Sequence, residues 1–174
     1  DASIFGIGIY NSIDNAILFS GTKEDGETLP VFSYSLDDEE RIAVKCYKNQ
    51  KSILISDFKQ EQKTKPVAGK SPKSIIYLPL NLKDKRIGVI TVQSFSADAY
   101  SENHLNIVSN LAVYTAIALD NADAYQQIED YAGNLREANV QLEERQEESQ
   151  QQAEELSAQA EALQATNTAL QREK

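Results

Sequence analysis

From Ser101 to Lys174 the chain contains no proline and a single glycine, Gly133. Nothing in that stretch stops a helix, and a helix of roughly 70 residues is about 105 Å long at 1.5 Å per residue. No globule built from the remaining residues can bury such a length, so its far part must find a surface outside its own core. The needed stripe is present: Ile128, Leu135, Leu142, Ser149, Leu156, Leu163 and Leu170 recur every seventh residue. Taking them as heptad d positions puts Tyr125, Ala132, Asn139, Gln146, Ala153, Ala160 and Asn167 at a. The register also runs backwards through Leu111 and Ala118 at a, and Tyr114 and Asn121 at d.

An isolated polar helix is marginal in water, because packing rather than propensity stabilises most helices. The spacing therefore predicts a parallel homodimer, with the chain itself as partner. Asn139 and Asn167 at a fit an in-register pair, since each can hydrogen-bond its own copy while disfavouring other alignments. The a layer is otherwise small or polar and the e and g sites carry few charges, so this coil should rotate or fray easily. Gly133 falls at b, facing solvent, where it loosens the helix without disturbing the seam. A lone solvated helix or a disordered tail is the competing reading.

The stretch TAIALDNADAYQQIEDYAGNL (115–135) is apolar on nearly every side at first and along one stripe afterwards. That change predicts a globular domain over 1–125 and a coiled-coil helix over 126–174, with Asn121 and Tyr125 at the handover. With 174 residues, 41% of them apolar, the chain has enough material for one domain with a real core plus something extended. It contains no Met, so a piece of a longer protein is expected. No run of about 18 apolar residues occurs, and no membrane contact is expected from this piece. One cysteine excludes an internal disulfide framework and fits, weakly, a reducing cytoplasmic setting. The net charge of −10 argues against nucleic acid, which is bound by neutralising phosphates. From residue 126 onward eleven Asp and Glu stand against four Lys and Arg, so 4 − 11 = −7 of that charge lies in the tail.

The first hundred residues read as strands around one short helix. SIFGIGIY (3–10) alternates Ile4, Gly6, Gly8 and Tyr10 with Phe5, Ile7 and Ile9, a strand pattern, and AILFSG (16–21) is the return of its hairpin. TKEDGETLPVFSY (22–34) reads as a loop broken by Gly26 and Pro30. SLDDEERIAVKCYKNQ has the look of a capping box, Ser35 with Asp38, leading into an amphipathic helix. KSILISDF (51–58) is a third strand, and 59–73 is a polar loop with two prolines. SIIYLPLNL (74–82) and RIGVITVQSF (86–95), joined by KDK, are apolar almost throughout, so both should lie centrally with both sheet faces covered. Ser101 is the expected N-cap of the long helix.

These runs together resemble a GAF domain followed by a bacterial signalling coiled coil. The resemblance rests on KSILISDF and on SIIYLPLNLKDKRIGVITVQSFSADAYSENHLNIVSNLAVYTAIALDNADAY, which looks like the family's "PL…IGVL" strand pair, its F-S-x-x-D-x-x-L helix start and its A-I-A-L-x-N-A-x-L-Y terminal helix. Tyr100 stands where the family often has Phe, Asn103 and His104 where it prefers acid, and Ala124 where Leu is usual. The match covers residues 1 to about 127, and ASIFGIGIYNS looks like the GAF modules of Bacteroidetes-type multidomain signalling proteins. It implies an α+β fold: a central antiparallel β-sheet of five or six strands flanked by helices, the terminal helix lying on one face and continuing into the coil. An N-terminal helix that usually precedes the first strand is missing from this sequence. Family members hold small ligands on the other face, here under the 37–49 helix and the 59–73 loop. The tail resembles connectors to histidine kinase, nucleotide cyclase or phosphatase output domains.

Phe19, Phe32, Tyr34, Cys46, Tyr47, Asp57 and Tyr77 are the candidate pocket residues, with ordinary core and rim as the plainer reading of each. Cys46 reads as a small buried residue in the first instance and as a reactive or bilin-bearing thiol in the second; VKCYK does not match the context of bilin-binding relatives. A GAF-fold methionine sulfoxide reductase would need several cysteines. His104 in ENHLNIV lacks the acid and proline of a phosphoacceptor motif and reads as a surface residue. The N-K-x-x-F-x-x-x-D-E signature of cyclic-nucleotide-binding relatives is absent, as are a Gly-rich phosphate loop and a nucleophile elbow. The expectation is therefore a non-catalytic sensory and dimerisation module, with no catalytic residues, no metal and no cofactor, and an unknown small molecule as ligand. Its dimer seam is Leu111, Tyr114, Ala118, Asn121, Tyr125, Ile128, Ala132, Leu135, Asn139, Leu142, Leu156, Leu163 and Leu170. A structural dimerisation spacer without a ligand is the alternative.

Overall fold

The computed structural model describes residues 2–57 and 66–172, with side chains up to 165 in the last helix. Two stretches of continuous apolar sequence become the middle of the sheet. β7 (Ser74–Leu82) and β8 (Lys85–Ser94) pair antiparallel through a tight turn in which Lys83 takes a left-handed φ of 53°. Their side chains alternate between two cores. Ile75, Tyr77 and Val89 enter one; Ile76, Leu78, Leu80, Ile90 and Val92 enter the other. Neither strand offers a polar face to water, which explains the nearly continuous apolar runs.

β1 (Ile4–Asn11) lies along β8, and its far edge is shared. Residues 4–5 pair with β3 (Lys23–Glu24) and residues 8–11 with β2 (Ala16–Phe19). β4 (Glu27–Thr28) continues outward from β3, β5 (Phe32–Ser35) from β2, and β6 (Ile53–Ile55) closes the opposite edge beside β7. All pairings are antiparallel, and the described sheet has eight strands, two of them only two residues long. The extra strands come from 22–34, which local pattern presents as a loop. Lys23, Glu24, Glu27 and Thr28 have no apolar alternation, and only the free edge of β1 makes them strands.

The short helix α1 (Ile42–Asn49) begins later than its sequence implies. Ser35 does not cap it: the Ser35 Oγ accepts the Asp37 N–H at 3.2 Å and the Ser35 carbonyl accepts the Asp38 N–H, so residues 35–38 form a turn. This is the ordinary competition by which serine diverts backbone from a helix. Asp38 instead holds Arg41, the residue at the N-cap, at 3.0 Å. Ala43, Val44, Cys46 and Tyr47 bury the helix on the first core.

The other sheet face is covered by the first turns of α2 (Glu102–Arg172). Ser101 and His104 tie its start together: the His104 Nδ1 accepts the Ser101 N–H at 3.1 Å and lies 3.0 Å from the Ser101 hydroxyl. His104 is exposed and stacks edge-on against Tyr100. Val108, Ala112 and Ala116 are buried, with Leu105 and Leu119 packed beside them. Two alanines in that stripe allow the helix backbone close to the sheet. Ser74, fully buried, lies 2.9 and 2.7 Å from the Ser56 and Ser96 carbonyl oxygens and accepts the Ala99 N–H, fastening the strand ends beneath the helix start.

The chain divides into two compact units, Asp1–Asp123 and Ala124–Lys174. The second is helical through Arg172, and its side chains from 124 to 165 are exposed apart from a half-buried Ala132. The side chains of Asn167 and Leu170 lie outside the described residues. Among the described residues no helix is long and apolar enough to cross a membrane.

Candidate functional site

On the α1 face the sheet does not close completely. Gly8 stands on that face of β1, and a Cβ there would lie 2.5 Å from the Phe19 ring and 2.6 Å from Ile17. Glycine therefore lets β2 side chains fold across the sheet, and Phe19 stacks on Phe32 with centroids 5.0 Å apart. Tyr34 meets Phe19 edge-on at 5.7 Å. This aromatic wall, the start of α1, residues 66–72 and the inner sides of β7 and β8 enclose a cavity. The space that the centre of a water molecule can occupy is about 80 Å³.

Residues 66–72 are held over the opening from the β3–β4 turn. The Glu24 carboxylate accepts the Lys70 N–H at 2.8 Å, and the Lys70 ammonium lies 3.8 Å from Glu24 and 3.5 Å from Asp25. Gly69 is required twice over, because its φ is +73° and a Cβ would run into the Glu24 carboxylate. Lys70 also sits 5.3 Å from the Phe95 ring centre. At the other rim the Arg41 guanidinium bonds Asp38 and lies 4.9 Å over the Tyr34 ring.

The floor is polar. The Gln93 Nε2 donates to the Tyr77 hydroxyl at 3.2 Å and to the Thr91 hydroxyl at 3.0 Å, and Thr91 in turn donates to the Ile76 carbonyl at 2.9 Å. Burial pushes the Tyr77 phenol well above its ordinary value, so it stays protonated and remains a donor. Burial raises Tyr34 as well, against the pull of Arg41 and a backbone hydrogen bond from Val67. Thr22 is buried against this floor, and its hydroxyl has no hydrogen-bond partner among the described residues.

Of the residues singled out in the sequence, Phe19, Phe32, Tyr34 and Tyr77 line this cavity. Cys46 and Tyr47 lie in the core cluster beneath α1 and do not line it; Asp57, half-buried after β6, does not either. Cys46 is fully buried, and burial pushes its thiol up to about 12, which suits an inert core residue. Thr22, Arg41, Lys70, Thr91 and Gln93 are polar lining residues that the sequence did not reveal. Their chemistry is common and their spacing follows no motif, so only the sheet register brings them together.

A six-stranded path with helices on both faces and a cavity beneath a short helix defines a small α+β domain. The sequence profile described as GAF domain matches residues 4–120, and the chain belongs to that family. Among solved structures it resembles the GAF domain of an Acinetobacter phosphoenolpyruvate-protein phosphotransferase, at 16% identity and a TM-score of 0.59, over 71% of this chain and 74% of that one. A type II free methionine-R-sulfoxide reductase from Thermoplasma acidophilum matches at 18% identity and 0.58, over 69% and 80%. The GAF domain of a two-component sensor histidine kinase from Bacillus halodurans matches at 17% and 0.53, over 72% and 86%. No curated protein matches the chain in sequence.

The reductase corrects one expectation. Missing catalytic motifs make a non-enzyme the expectation from sequence, yet this fold also serves as an enzyme scaffold. Fold membership therefore does not exclude catalysis, and these identities show the fold alone.

Proposed function

We propose that the chain is the sensory and dimerisation module of a bacterial signal-transduction protein, passing a signal from the α1-face cavity into α2 and on to an output domain. The observation that carries this reading is the double face of α2. Val108, Ala112 and Ala116 are buried on the sheet, while Ile107, Leu111 and Tyr114 are 67%, 44% and 71% exposed. Those bare side chains belong to the same heptad register as Tyr125, Ile128, Leu135 and Leu142, all exposed in the single chain. A second copy would cover them. None of the eleven acids beyond residue 126 falls at a or d, so the tail's negative charge lies off the seam.

Lys85, in the β7–β8 hairpin, bonds Asp120 at 2.9 Å and Asp123 at 3.0 Å. The central strands that floor the cavity are thus tied directly to α2 just before the heptad tail. A shift of those strands would move the helix, and a weakly packed a layer lets such a shift travel. The setting we infer is the cytoplasm, in keeping with a lone free thiol.

Single cysteines placed along the helix test the parallel dimer, and buried Cys46 leaves the background low. Tyr125→Cys, Ile128→Cys and Leu135→Cys should cross-link rapidly under mild oxidation, and Asp130→Cys and Glu137→Cys slowly. Equal rates at all five positions would refute the seam.

A further inference from the structure

We propose that the α1-face cavity takes a small, uncharged, planar ligand whose edge carries a hydrogen-bond donor beside an acceptor, the chemistry of a cyclic amide, anchored on the Thr22 hydroxyl. The inference rests on the sensory reading above and specifies what that site would hold. Size comes first. One water fills about 10–15 Å³, and here about 80 Å³ is open to the centres of water molecules alone, so the cavity has room for a small organic molecule of at least one ring.

Charge comes second. Among the described residues Arg41 and Lys70 line the cavity, and no Asp or Glu does. A cationic ligand would therefore meet only like charge. Yet Arg41 is engaged with Asp38 and Tyr34, and Lys70 with Glu24, Asp25 and Phe95. An anion would have to compete with those contacts, whereas a neutral ligand leaves them intact.

The polar floor then sets the ligand's edge. Thr22 is 4% exposed, and its hydroxyl, able to give and to accept, has no partner among the described residues. A Cβ at Gly6 would come within 2.9 Å of that oxygen, so the glycine is what leaves room for Thr22 over the sheet. Gln93 spends its Nε2 on Tyr77 and Thr91, which leaves its carbonyl oxygen to accept beside the Thr22 hydroxyl. A buried hydroxyl without a partner is costly, and a ligand edge with donor and acceptor side by side satisfies this floor. The aromatic wall of Phe19, Phe32 and Tyr34 favours a flat apolar body behind that edge.

The test is a titration of the full chain with 2-pyridone, a neutral planar cyclic amide, followed by amide NMR shifts, with benzoate and benzene run in parallel. Saturable shifts at Thr22 and Gln93 with 2-pyridone, at least ten-fold tighter than with either control, support the proposal. Thr22→Val should weaken 2-pyridone at least ten-fold while leaving the thermal midpoint of the free protein unchanged or raised, and Thr22→Ser should retain binding. Benzoate binding more tightly than 2-pyridone would overturn the ligand class while leaving a sensory cavity standing. A lowered midpoint for Thr22→Val would show that the hydroxyl is already used by the fold, and would also overturn the anchor. No shift at any cavity residue with any of the three compounds would overturn this inference and count against the cavity as the sensing site.

Discussion

Replacing Leu142 and Leu156 together by lysine addresses the coil most directly. In the single chain these side chains are 61% and 66% exposed. Full burial of a leucine side chain is worth about 1.5–3 kcal/mol, so covering the exposed two-thirds is worth about 1–2 kcal/mol each. A parallel pair buries two copies at each layer, four side chains in all, or about 4–8 kcal/mol. At 1.4 kcal/mol per factor of ten, the double substitution should weaken association by about three to six orders of magnitude. Sedimentation equilibrium of both proteins over about 1–100 µM reads this directly: the parent should have the mass of a dimer and the variant that of a monomer. Glu147→Lys with Glu154→Lys, at outward b positions, adds the same positive groups and should leave the mass unchanged. A dimeric Leu142→Lys/Leu156→Lys variant, or a monomeric parent, would refute the heptad argument.

Two further outcomes test the domain itself. Gly8→Ala should destabilise it by about 3 kcal/mol in urea unfolding, because the Phe19 ring 2.5 Å from the new methyl is buried and stacked; adding Phe19→Leu should recover part of the loss. Equal midpoints for Gly8→Ala and the parent would show that β2 is free to move. Burial raises the Cys46 thiol from 9.0 to about 12, so the unfolded chain gives up this proton first as pH rises. The contribution is therefore fully present below pH 9 and is lost towards 12, and stability should fall across that window, as the raised Tyr34, Tyr77 and Tyr100 also demand. Iodoacetamide at pH 8 should label Cys46 only as fast as the domain opens, and rapid labelling of the native protein would contradict its burial.

Much of the architecture is legible in the sequence. β7 and β8 declare themselves because strands covered on both faces are apolar at most positions, and α2 because nothing in it can stop a helix. The mistaken places share a cause. Ser35 has the spacing of a helix cap, but its hydroxyl finds a nearer N–H and makes a turn. Residues 23–28 looked like loop, since two-residue polar strands have no pattern of their own and exist only because β1 offers an edge.

The candidate site divides in the same way. Its aromatic members were legible as large side chains on strands, whereas Cys46 and Tyr47 turned into the core, because which face of α1 meets the cavity depends on how that helix is set against β7. Thr22, Arg41 and Gln93 are far apart in sequence and ordinary in composition. The sequence by itself determined the periodic features: the central strand pair, the uninterrupted helix and its heptad stripe, all of which follow from the spacing of apolar residues and the absence of breakers. Tertiary structure alone decided the cavity floor and the unpartnered Thr22 hydroxyl, because those depend on strand register and on which buried polar atoms find partners. Such pairings join residues distant in the chain, and no local periodicity encodes them.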